Sequence, residues 1–159
     1  DEFTLFAAGS AAGLLKGKEK NTFLTELAEE VEGWGKLAIL YELDYSDEKA
    51  RLWAVKKGCR NTVGYSYAAN VCATKGNMAD ILAKLKAGEY AETEAEDIFR
   101  GVCDIFTGLL NPDENQDGIK EYGEAMRASA SFKDICQNMP ELSSKDDRAA
   151  KIAEKLSDY

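Results

Sequence analysis

The sequence predicts an all-α fold: an irregular, compact bundle of six to eight helices, one domain over residues 1–159, stapled by two disulfides. Three observations carry this. Apolar residues recur at three- and four-residue steps nearly throughout, the period of a helix with one buried face. Alternating strand patterns are missing, and Ala, Leu, Glu and Lys dominate, with only two prolines, Pro112 and Pro140. Cys59, Cys72, Cys103 and Cys136 form an even, widely spaced set with no C-x-x-C and no histidine to complete a zinc site.

The elements follow in order. Residues 3–15 are uncharged and rich in Ala and Gly, too short to span a bilayer, so no transmembrane segment is expected there. Gly9 and Gly13 make a G-x-x-x-G that lets another helix pack closely. Phe23, Leu27, Val31, Trp34, Leu37, Ala38 and Tyr41 describe one face of a helix from about Thr22 to Leu43. Ser46, followed by Asp47 and Glu48, reads as the N-cap of a short helix ending at Gly58. Val63, Tyr67 and Val71 predict a helix through Cys72 that stops near Gly76, and Ile81, Leu82 and Leu85 another that ends at Gly88. Thr93 to Glu96 reads as a capping box opening the best amphipathic segment, which Asn111-Pro112 closes. Helices follow at about Ile119–Ala130, Phe132–Met139 and Lys145–Ser157.

The spacing also constrains the disulfides. On one helix, the 13 residues from Cys59 to Cys72 would span about 20 Å, whereas a disulfide needs Cα atoms within about 7 Å. The expected bridges join different helices, Cys72–Cys103 and Cys59–Cys136. Two disulfides imply an oxidising compartment, hence an extracellular protein, secreted or on the cell surface. The acidic start Asp1-Glu2, without a basic n-region, reads as that of a mature chain.

Function is first bounded by exclusion. Twenty basic against 29 acidic side chains give a net charge of -9, a surface that repels nucleic acid and anionic membrane. No histidine occurs, which removes Ser-His-Asp and Cys-His mechanisms, His-ligated haem and Glu-x-x-His di-iron sites. Gly64-Tyr65-Ser66-Tyr67-Ala68 has the outline of a nucleophile elbow but lacks the preceding strand and the histidine. Ser46 to Lys49 fits S-x-x-K without its partner motifs. The expectation is no enzyme.

Two features remain. Asp113 to Glu124 satisfies D-x-[DN]-x-[DN]-G-x5-E. The segment resembles an EF-hand calcium loop. That resemblance implies side-chain oxygens from Asp113, Asn115 and Asp117, the Ile119 carbonyl, Glu121 through water and a bidentate Glu124. Lys120 stands where the family prefers an aliphatic residue, Pro112 precedes the loop, and no second loop is visible. No other cofactor is indicated. The second feature is Gly33-Trp34-Gly35 inside the helical pattern, a place for close backbone approach by a helix or an apolar ligand. Trp34, Trp53, Tyr65 and Tyr67 are the candidate ligand-binding residues, and both tryptophans are expected to be buried. The sequence reading is therefore a non-enzymatic binding protein, with a protein partner ranked ahead of a small apolar ligand and calcium binding as the alternative.

Overall fold

The computed structural model describes residues 2–159, and the side chains of all of these except residues 2, 5, 11 and 12. Among the described residues there are ten α-helices and no strand. They are α1 (Glu2–Leu14), α2 (Gly17–Glu29), α3 (Trp34–Glu42), α4 (Glu48–Trp53), α5 (Ser66–Lys75), α6 (Met78–Lys86), α7 (Glu92–Leu110), α8 (Ala125–Asn138), α9 (Pro140–Ser143) and α10 (Ala149–Lys155). A π-helical turn, Ala54–Gly58, extends α4, and a 3-10 turn, Leu156–Asp158, follows α10.

Helix α7 is the axis of the core. Ile98, Phe99, Val102, Cys103, Ile105, Phe106 and Leu109 on it are fully buried. Its glycines set how closely the neighbours approach. A Cβ on Gly101 would stand 2.1 Å from the Val55 carbonyl oxygen of the π-turn. One on Gly108 would meet Ala69 Cβ at 2.6 Å and the Tyr65 carbonyl oxygen at 2.7 Å. Backbones this close leave room for hydrogen alone, so both glycines outweigh their poor helix propensity by packing. From α8, Phe132 stacks on Phe99 at 5.4 Å and meets Phe106 edge-on at 5.1 Å.

One carboxylate lies inside this apolar frame. The Asp104 side chain, 2% exposed, accepts from Arg60 Nε at 3.3 Å and Nη2 at 3.2 Å, and from Arg148 Nη2 at 2.7 Å. Arg148 also holds Asp146 and lies over the Tyr65 ring. The cluster ties α7 to α10 and to the segment following the π-turn.

The predicted helix 22–43 is two helices. The first ends at Glu29, and Gly33, at a positive φ of 70 that glycine adopts readily, stands just before the second. The Asn61 side chain then satisfies both of its backbone groups: Gly33 N–H donates to Asn61 Oδ1 at 2.8 Å, and Asn61 Nδ2 donates to the Gly33 carbonyl at 2.9 Å. The break resets the helical phase. Leu37, Ile39 and Leu40 turn inward, while Trp34 and Tyr41, placed by the unbroken pattern on the buried face, are each 58% exposed. Gly35 serves helix packing: a Cβ there would stand 3.0 Å from the Thr4 side chain of α1.

Other boundaries shift for local reasons. Asp47, rather than Ser46, caps α4, accepting from Lys49 N–H at 3.1 Å. Helix α7 starts before the predicted capping box, with Ala91 at the N-cap and no side-chain cap. Glu96 instead pairs with Arg100 and Lys145. The predicted helices 119–130 and 132–139 become a turn followed by the single helix α8. Ile119 N–H donates to the Leu109 carbonyl at 2.8 Å, folding the turn back against the end of α7.

The stapling is corrected: all four cysteines are free thiols, and neither Cys72–Cys103 nor Cys59–Cys136 is formed. The premise behind that pairing fails because the chain reverses between Cys59 and α5. Cys59 donates to the Tyr65 carbonyl at 3.4 Å, and Cys72 Sγ lies 2.9 Å from where a Cβ on neighbouring Gly58 would stand. Cys59 and Cys72 are thus brought near each other by the reversal, yet no bridge joins them.

Candidate functional site

The exposed large apolar side chains are concentrated at one end of the chain. Phe3 (86% exposed), Phe6 (74%) and Leu14 (84%) stand on α1, Phe23 on α2, and Trp34 and Tyr41 on α3. Helix α1 packs on α3 through buried Thr4 and Ala8 and turns its phenylalanines to solvent. Trp34 meets Tyr67 of α5 edge-to-face, their ring centroids 5.2 Å apart. Of the four aromatic residues named from the sequence, the structure thus unites Trp34 and Tyr67. The other two lie elsewhere. Half-buried Trp53 donates from Nε1 to Glu29 Oε1 at 3.4 Å, and Tyr65 sits under Arg148 at 5.7 Å. The expected burial of both tryptophans fails at Trp34, for the phase reason given above.

Beside Tyr67, an open groove of about 400 Å³ lies between α3, α5 and the 113–117 loop. Tyr41, Tyr67, Asn70, Asn115, Gln116 and Asp117 line it. Asn115 takes a left-handed conformation at φ 67 that asparagine tolerates better than most residues. The sequence pointed to the loop through its calcium-like pattern. The groove itself, with Tyr41 and Asn70 in it, had no sequence signal, since it is made by packing α5 beside α3.

Three of the six candidate calcium ligands are engaged by other partners. Asp113 accepts a hydrogen bond from the Ser66 hydroxyl, which also accounts for that serine. Glu121 Oε2 accepts from Gly118 N–H at 2.9 Å, inside its own turn. Glu124 Oε2 accepts from Arg127 Nε at 2.7 Å, and Arg127 also pairs with Asp80. Asn115 and Asp117 face the groove, and the Ile119 side chain is buried. Among the described residues no group of three or more Asp, Glu, Cys or His is gathered closely enough to hold a metal ion. We expect calorimetry to show no heat on adding millimolar Ca²⁺ and no rise in Tm, because binding would have to break the Ser66–Asp113 and Glu124–Arg127 contacts first. Saturable heat abolished by Glu124→Gln would reverse that conclusion.

The thiols are not poised as nucleophiles. Burial pushes the Cys59, Cys72 and Cys103 thiols well above the usual range, and Cys136 up to about 11. All four are thus held protonated at neutral pH. No helix among the described residues is long and apolar enough to cross a membrane. Compared with known proteins, the chain matches no family model, no curated protein and no solved structure.

Proposed function

We propose that this is a non-enzymatic, secreted or cell-surface helical protein that recognises a protein partner through the apolar surface of α1–α3. The observation behind the reading is that Phe3, Phe6, Leu14, Phe23 and Trp34, on three helices that pack on one another, are all substantially exposed. Large exposed apolar side chains gathered on one part of a soluble domain are costly to leave in water and favour association. Aromatic residues of this kind are also the usual anchors of protein interfaces. Carriage of a small apolar ligand is the weaker alternative, because Trp34 faces solvent and its neighbouring groove is open and partly polar. The absence of histidine and the protonated thiols support a non-enzymatic role. The extracellular placement keeps only the even cysteine count of the sequence as its support, because all four stand as unpaired thiols.

A photo-crosslinking amino acid at Phe6 tests the reading. With the protein on its native cells, we expect one dominant protein adduct, lost when Phe3 and Leu14 are both changed to serine. A stoichiometric apolar small molecule in native mass spectra, with no protein adduct, would establish a carrier instead.

A further inference from the structure

We propose that the groove between α3, α5 and the 113–117 loop binds a neutral saccharide. The inference goes beyond the protein-recognition reading and uses an adjoining groove, which shares α3 with that surface. Its walls combine two kinds of group that a sugar needs together. The first is aromatic. Tyr41 is 58% exposed at the rim, and Tyr67 is braced edge-on by Trp34 at 5.2 Å. A pyranose has faces of C–H bonds that pack on the negatively polarised face of such a ring.

The second kind is planar and polar. The side-chain amides of Asn70, Asn115 and Gln116 and the carboxylate of Asp117 line the same space. An amide donates through nitrogen and accepts through oxygen, which matches hydroxyls that do both. The side chains of Asn115, Gln116 and Asp117 make no hydrogen bond or ion pair with the described residues, so they are free for a ligand. Next to them Asp113 is occupied by Ser66, which steadies the loop against α5. At about 400 Å³ the groove has the size of a small-ligand site.

Other ligand classes fit less well. Asp117 in the groove and a net charge of -9 oppose an anion such as a phosphate or a sialylated sugar. Lys75, the cation of the lining, lies over the Tyr45 ring at 5.9 Å. The open, partly polar walls do not suit a lipid chain. A peptide would find no strand edge to pair with, since none of the described residues forms a strand.

The test is an array of neutral and sialylated oligosaccharides probed with the labelled full chain, followed by saturation-transfer NMR on the neutral hits. We expect binding to a subset of neutral sugars, with Kd on the order of 1 mM for a single open site. Tyr41→Ala and Asn115→Ala should each weaken it about tenfold or more, with unchanged melting curves, because both side chains are exposed. Trp34→Phe should leave binding in place. No neutral sugar bound, equal binding of sialylated sugars, or binding indifferent to Tyr41→Ala and Asn115→Ala would each overturn the proposal. None of these outcomes bears on cross-linking at Phe6, so the two readings fail independently.

Discussion

Replacing Asp104 by alanine is expected to destabilise the protein by about 3 kcal/mol, the lower end of the range for breaking a buried ion pair. The carboxylate is 2% exposed and accepts from two guanidinium groups, Arg60 and Arg148. Removing it leaves Arg60 without its carboxylate and Arg148 with Asp146 alone. The cost stays at the lower end because the Arg60 side chain, 61% exposed, can turn back to water. Arg148 cannot do so as easily, being 35% exposed and under Tyr65. Urea unfolding is the measurement, with a shift in midpoint at constant slope. A loss below about 1 kcal/mol would mean that the pair merely breaks even against its desolvation.

The same cluster carries an acid-sensitive contribution. Burial by itself would raise the Asp146 carboxyl, but hydrogen bonds from Arg148 outweigh it and hold the group below its ordinary 3.8. The unfolded chain therefore binds the proton more readily than the native one. Stability from this group is present above about pH 4 and lost as pH falls through the lowered native value. Arg148→Met should flatten that part of the acid limb.

Phe132→Ala is expected to cost about 3–5 kcal/mol, the range for deleting a buried aromatic ring. The ring is fully buried and is the piece of α8 that contacts both Phe99 and Phe106 of α7, at 5.4 and 5.1 Å. Its removal forfeits the hydrophobic transfer, leaves a cavity between rigid helices and deletes two ring–ring contacts. For a chain of this length the melting temperature should fall by roughly 10 °C. Phe132→Leu should recover most of the loss by refilling the space. A leucine variant as unstable as alanine would show that ring stacking, rather than volume, dominates there.

How much was legible can be argued from particular residues. Helix α7 was plain, because its apolar residues sit on a helix packed on several sides, where periodicity and burial coincide. The α2–α3 break was not, because a glycine inside an unbroken apolar rhythm reads as a propensity cost, not a stop. What holds the start of the new helix is Asn61, 28 residues from Gly33, which pairs with both of that glycine's backbone groups. The cysteines misled for a related reason: the reversal between Cys59 and α5 has no strong turn signature, so an extended spacing was assumed where the chain doubles back.

The candidate sites divide the same way. The calcium-like pattern was visible as residue types, but coordination depends on where oxygens point, and Asp113, Glu121 and Glu124 are turned to Ser66, Gly118 and Arg127. The sequence by itself determined the all-helical class, the lack of histidine chemistry and the identity of the core helix, since these follow from composition and local period. Tertiary packing alone decided that Trp34 and Tyr41 face water, that the cysteines stand as thiols, and that Tyr41 and Asn115 share a groove. Those outcomes depend on helix phase and chain reversal, which are set by contacts between residues far apart in sequence and leave no trace in the local pattern.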